Sequence, residues 1–124
     1  MGYRSDVVAA FYVSKAEHLP ALKLWLDENF PMDMFDAHIR WFDRGMVLQG
    51  ESWKWYDSYP DVQAFNAAAD KFVELCNNDV AEDTPTFNYE FMRVGEDYDD
   101  VDVVREGVGY ECVLGVQREI TVEV

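Results

Sequence analysis

The residues with most to offer chemically are acids. Glu96-Asp97-Tyr98-Asp99-Asp100-Val101-Asp102 is the densest carboxylate run, and Asp79, Glu82 and Asp83 form a second cluster. Carboxylates packed this closely can chelate calcium, act as an acid–base pair, or imitate the phosphates of a nucleic acid. An EF-hand loop needs acids at its first, third and fifth positions, then glycine, then a distant glutamate. Counted from Asp97, the fifth position is Val101 and the sixth is Asp102, so the calcium pattern fails. Paired acids also serve glycosidases, yet with 25 Asp and Glu in the chain a pair singles out nothing. Imitation of a polyanion is the use that survives.

Other chemistries find less support. His18 and His38 are the two histidines and fall on different elements, and neither Cys76 nor Cys112 belongs to a CxxC spacing, so no zinc site is expected. Ser5, Ser14, Ser52 and Ser58 lack a GxSxG setting, and Ser14 and Ser58 read as helix caps. Cys76 lies on an apolar helical stripe and Cys112 on an alternating strand, where small buried thiols are ordinary. No phosphate-cradling GxxxxGK[ST] or GxGxxG occurs. No catalytic residue, metal or cofactor is therefore expected, and the chain reads as a non-enzyme. Arg40-Trp41, Arg44 and Trp53-Lys54-Trp55-Tyr56 interleave bases with aromatics, as a single-stranded nucleic-acid binder would. The RNP1 pattern is missing, and indoles at period two usually face a core, so Trp53 and Trp55 are expected to pack under a helix.

The charge balance weighs against direct contact with nucleic acid. The 124 residues carry 10 Lys and Arg against 25 Asp and Glu, a net charge of −15. Residues 1–56 hold 8 acids and 6 bases; residues 57–124 hold 17 acids against Lys71, Arg93, Arg105 and Arg118. Such a field repels nucleic acid and acidic membranes and attracts basic proteins. At 49% hydrophobic and 15% aromatic, the chain has the apolar content of a folded domain rather than an acidic tail. Its length suits one domain over residues 1–124. No run approaches the roughly 20 apolar residues of a membrane span, and Met1-Gly2-Tyr3-Arg4 leads into neither a signal peptide nor a myristoylation site. With two cysteines and no disulfide framework, the expected compartment is a reducing cytoplasm.

The elements that must position these groups follow from periodicity. Val7–Val13 is a short apolar run, expected as a strand buried on both faces. Ser14-Lys15-Ala16-Glu17 fits a capping box opening a helix to about Asn29, with Leu19, Leu22, Leu26 and Phe30 inward. Pro20 either kinks that helix or moves its start to Leu19. Phe30–Met34 is a connection, Ala37–Phe42 a strand, and Met46–Tyr56 its hairpin partner across Asp43-Arg44-Gly45. Ser58-Tyr59-Pro60-Asp61 caps a second helix to about Cys76, with Val62, Phe65, Ala69, Phe72 and Val73 on one face. Phe87, Tyr89 and Phe91 alternate as a half-buried strand. Val101–Glu106 and Tyr110–Val116 flank Gly107-Val108-Gly109, a hairpin signal, and Ile120–Val124 alternates as a last strand. The order implies an α+β, ferredoxin-like β-α-β-β-α-β sandwich with one or two extra C-terminal strands.

Three segments carry a resemblance. Met1-Gly2-Tyr3-Arg4-Ser5-Asp6-Val7, then Trp53-Lys54-Trp55-Tyr56 with Tyr59-Pro60-Asp61-Val62, then Phe91-Met92-Arg93-Val94-Gly95-Glu96 with Asp97-Tyr98-Asp99-Asp100-Val101, resemble a group of small tailed-phage and prophage proteins. The resemblance implies a phage origin and no catalytic mechanism, since none of the segments is a catalytic motif. Small acidic phage proteins are often similar to inhibitors of host nucleic-acid machinery, which gives the functional expectation. The chain would be a protein of the host cytoplasm that blocks a basic nucleic-acid-binding or defence protein by DNA-mimic-like electrostatics. Glu96, Asp97, Asp99, Asp100 and Asp102 are the first candidate contacts, with Tyr98 as an aromatic anchor and Asp79, Glu82 and Asp83 second. A compact monomer or homodimer suits that role; the alternatives are a structural or assembly phage protein forming a homo-oligomer such as a large ring, and a single-stranded nucleic-acid binder built on the Trp-rich hairpin.

Overall fold

Two helices lie across one face of a five-stranded antiparallel sheet in the order β2-β3-β1-β4-β5. The strands are β1 (Ser5–Val13), β2 (Ile39–Phe42), β3 (Gly45–Trp53), β4 (Phe87–Val94) and β5 (Val101–Glu106). The helices are α1 (Leu19–Asn29), a single turn α2 (Met32–Phe35), and α3 (Pro60–Cys76). A separate two-stranded ribbon pairs β6 (Leu114–Val116) with β7 (Ile120–Val122). This is a computed structural model, and it describes residues 3–77, 86–97 and 99–107 with the backbone of 114–116 and 120–122. The first four strands have the ferredoxin-like order and directions, and β5 extends the sheet beyond β4, as the α+β expectation required.

β1 is central and apolar on both faces: every residue from Val7 to Val13 is at most 1% exposed. Its Ala9, Phe11 and Val13 face the helices. The Phe11 ring lies 5.1–6.0 Å from those of Phe30, Phe65, Phe72 and Tyr89, so the residue that ends α1 meets α3, β1 and β4 on one side chain. Such offset and edge-on aromatic contacts add to the burial of each ring. The opposite face is buried too, through Val8, Ala10, Tyr12, Val47 and Met92. The backbone of the β6–β7 ribbon approaches β1 and β4.

β4 departs from the half-buried expectation for that reason. Asn88 and Glu90, on the face opposite Tyr89 and Phe91, are buried at 3% and 0% exposure. The Tyr12 hydroxyl donates to Glu90 Oε2 (2.7 Å) and Arg105 Nε to Glu90 Oε1 (3.3 Å), so the buried carboxylate is matched by polar partners.

The helix starts also differ from expectation. Ala16–His18 is a 3-10 turn, α1 begins at Leu19 with Pro20 in its first turn, and no side chain caps it. The Ser14 hydroxyl instead shares a 3.1 Å hydrogen bond with the Asn88 amide. α3 begins after Tyr59, likewise without a side-chain cap, so Ser58 is not a cap either. In both cases the proline at the start already fixes φ and removes a donor that a cap would satisfy.

Ala37 and His38 belong to a second 3-10 turn, which shortens the strand to Ile39–Phe42, and α2 occupies part of the expected Phe30–Met34 connection. β3 ends at Trp53 rather than Tyr56. Ser5 opposes Trp53 but Val7 opposes Gly50, so Glu51 and Ser52 together oppose Asp6, a β-bulge in which Ser52 takes φ 52°. The extra residue returns Trp53 to the helix face, where its ring covers Gly50; a Cβ on Gly50 would collide with it. Trp53 and Trp55 both pack against the core, their rings 4.9 Å apart, as expected of them.

Residues 108–110, at the hairpin expected about 107–109, lie outside the described residues; among those described, no strand pairs with β5 on the side away from β4. β5 turns back through residues 95–100 to pair with β4, and β6 pairs with β7.

Candidate functional site

The acidic run begins at the end of β4 and continues into β5. The register sets Arg93 directly opposite Asp102 and Val94 opposite Val101. Arg93 Nε donates to Asp102 Oδ2 (2.8 Å), Nη2 to Asp100 Oδ1 (2.6 Å), Nη1 to Asp100 Oδ2 (3.2 Å) and to Ser5 Oγ (2.9 Å). The planar guanidinium suits this two-pronged grip, which a lysine could not reproduce.

Tyr3 closes the other side of the loop. Its hydroxyl donates to Asp100 Oδ2 (2.5 Å) and accepts the backbone N–H of Asp97 (3.0 Å). The Arg4 N–H donates to Glu96 Oε1 (3.2 Å), and the Gly95 N–H to the Asp100 carbonyl (2.8 Å). Gly95 is the residue type this requires: a Cβ there would strike the Asp100 carboxylate and the Tyr3 hydroxyl. Arg93 first, and Tyr3 second, hold Asp100 below the usual carboxylate range by hydrogen bonding to its ionised form. The same bond to Asp100 raises the Tyr3 phenol, against the lowering effect of the Asp97 N–H.

The candidate contacts thus divide. Asp100 and Asp102 are tied to Arg93 and position the loop. Glu96, Asp97 and Asp99 are exposed, Glu96 with one oxygen on the Arg4 amide. Tyr98, Asp79, Glu82 and Asp83 lie outside the described residues. Tyr3 and Arg93 were not singled out from sequence. The signal existed: Val94 and Val101 flank a short loop, so antiparallel pairing across it sets Arg93 against Asp102.

Beside the loop a groove runs between α3 and the β4–β5 hairpin. One hollow of about 440 Å³ is bounded by Tyr3, Trp55, Tyr56, Phe91 and Asp57, with the Arg93–Asp100–Asp102 cluster at its end. An adjoining hollow of about 340 Å³ is bounded by Phe65, Ala69, Val73, Tyr89 and Val104, with Asp70 at its rim. Asn66, Phe91 and Asp102 border both. The groove lies where α3, packed on β4, overhangs the neighbouring β5, while α1 packs on β1 and β3.

Among the described residues no three His, Cys, Asp or Glu side chains gather as metal ligands would, and no helix is long and apolar enough to cross a membrane. Burial pushes the Cys76 thiol up to about 12, with Glu106 adding to the effect, which makes it a poor nucleophile. No protein-family model matches the chain, and no curated protein or solved structure is significantly similar to it.

Proposed function

We propose that this is a non-enzymatic, phage-encoded protein of the host cytoplasm that binds a basic nucleic-acid-binding or defence protein and obstructs its nucleic-acid site. The observation that carries the reading is the strapped acidic loop, in which Tyr3, Arg93 and the Gly95–Asp100 backbone bond hold Glu96, Asp97 and Asp99 outward. A loop already ordered loses less conformational entropy on binding than a floppy acidic tail. The net charge of −15 draws a basic partner in and speeds its encounter at low salt.

The test is affinity capture from host lysate at low and high salt, followed by association kinetics with the captured protein. Reversal of both Asp97→Lys and Asp99→Lys should slow association by roughly tenfold while the domain stays folded. Capture indifferent to both salt and charge reversal would overturn the proposal.

A second reading, assembly into a homo-oligomer, is favoured by one feature. Among the described residues β5 is the last strand of the sheet, with Val101, Val103 and Val104 at 37%, 45% and 38% exposure, the kind of edge that recruits another strand. Sedimentation that shows a ring or higher oligomer, abolished by Val103→Lys, would establish that role instead. The single-stranded nucleic-acid reading gains nothing, since Trp53 and Trp55 pack against the core and the hollow that Trp55 lines is bordered by Asp57, Asp100 and Asp102, which repel phosphates.

A further inference from the structure

We propose that the groove between α3 and the β4–β5 hairpin seats an extended basic–apolar peptide segment of the partner protein. An arginine or lysine side chain enters the Trp55 hollow, and an aliphatic side chain lies over Phe91 and Val104. The inference rests on the basic-partner reading and names the chemistry that the partner must present.

Charge complementarity selects the occupant. The rim carries Asp57, Asp70 and Asp102, while the cation of the lining, Arg93, is already gripped by Asp100 and Asp102. A cationic side chain meets this excess favourably, and an acidic peptide or a phosphate backbone does not. The floor adds selectivity among cations. Trp55 stands 5.3 Å from Phe65 and 6.1 Å from Phe91, so its ring is fixed, and Tyr3 and Tyr56 border the same hollow. Aromatic faces attract ammonium and guanidinium groups and gain strength where water is displaced.

Spacing supports an extended chain. Phe91 borders both hollows, with Arg93 at one and Tyr89 at the other, so the hollows are offset by about one two-residue step of β4. That step is roughly 7 Å, the repeat of alternate side chains in any extended peptide. Val104, opposite Phe91 on β5, is 38% exposed although it faces the helix layer, and an aliphatic side chain would cover it.

The experiment uses fluorescent short peptides alternating arginine with leucine, arginine with serine, or glutamate with leucine, read by anisotropy at about 0.15 M salt, where the Debye length is about 8 Å. The arginine–leucine peptide should bind saturably and at least about tenfold tighter than either other peptide. Asn66→Arg, a change at an exposed α3 position bordering both hollows, should weaken it by about tenfold or more, and Val104→Lys provides the same test should Asn66→Arg not fold. The double reversal at Asp97 and Asp99 should have a smaller effect on this peptide. Equal binding of the arginine–serine peptide, or indifference to the groove variants, would overturn the proposal.

The two readings fail separately. A partner captured through Asp97 and Asp99, with no peptide in the groove, removes the groove alone. A peptide seated in the groove, with no partner sensitive to the loop reversal, removes the loop alone.

Discussion

Arg93 donates to Asp100, Asp102 and Ser5, so deleting its guanidinium strips three partners at once. Arg93→Met should lower stability by about 1–2 kcal/mol, less than for a fully buried pair because the carboxylates reach water. The urea midpoint measures it, and amide exchange at residues 96–99 should quicken. The strap also has a pH signature. The Asp100 carboxyl is held low in the folded state, so its contribution is complete above the ordinary carboxylate range and is lost as pH falls through the lowered value. The Tyr3 phenol is raised, so its contribution is complete below about pH 10 and disappears as pH rises through the raised value. The stability gap between wild type and Asp100→Asn should therefore close in acid, and the gap to Tyr3→Phe should close in alkali, both read by denaturant titration. At this scale the sequence was legible in kind but not in pairing. It marked residues 96–102 as acidic, yet which carboxylates are neutralised depends on the β4–β5 register and on Tyr3, which lies over ninety positions away.

At the scale of elements, β1 and α3 could be read directly, because Val7–Val13 and the stripe through Val62, Phe65, Ala69 and Phe72 carry strong periodic signals. Phe11 joins those two elements, and Phe11→Ala should cost about 3–5 kcal/mol, a large share of the 5–15 kcal/mol typical of a domain. Thermal or urea unfolding tests it. β4 was harder to read, because Asn88 and Glu90 alternate with aromatics as solvent-facing residues would, and only the three-dimensional arrangement reveals that their face is buried. Tyr12→Phe, which withdraws a donor from Glu90, should destabilise by about 1–3 kcal/mol. The caps at Ser14 and Ser58 misled because the proline in each first turn supplies the start signal without them. The Trp53 position was right for an incomplete reason: strict alternation from Gly50 would have turned that indole outward, and the bulge at Ser52 reverses it.

For the molecule as a whole, a net charge of −15 on 124 residues is a standing repulsion within the compact state. Raising salt from about 0.01 M to 0.15 M, which shortens the Debye length from about 30 Å to 8 Å, should raise the melting temperature. A melting temperature that falls over that interval would mean that attractive pairs, of the Arg93 kind, outweigh the repulsion. The ferredoxin-like order could be read because element types recur in the right succession, whereas the pairing of β5 with β4 could not, since glycines at 107 and 109 drew attention to a turn on the other side of β5. The bond from Tyr3 to the loop has a consequence for biosynthesis. Tyr3 clasps a segment over ninety residues further along the chain, and central β1 waits almost as long for its β4 neighbour. A nascent chain therefore cannot close this loop, or complete the centre of its sheet, until the β4–β5 turn has left the ribosome.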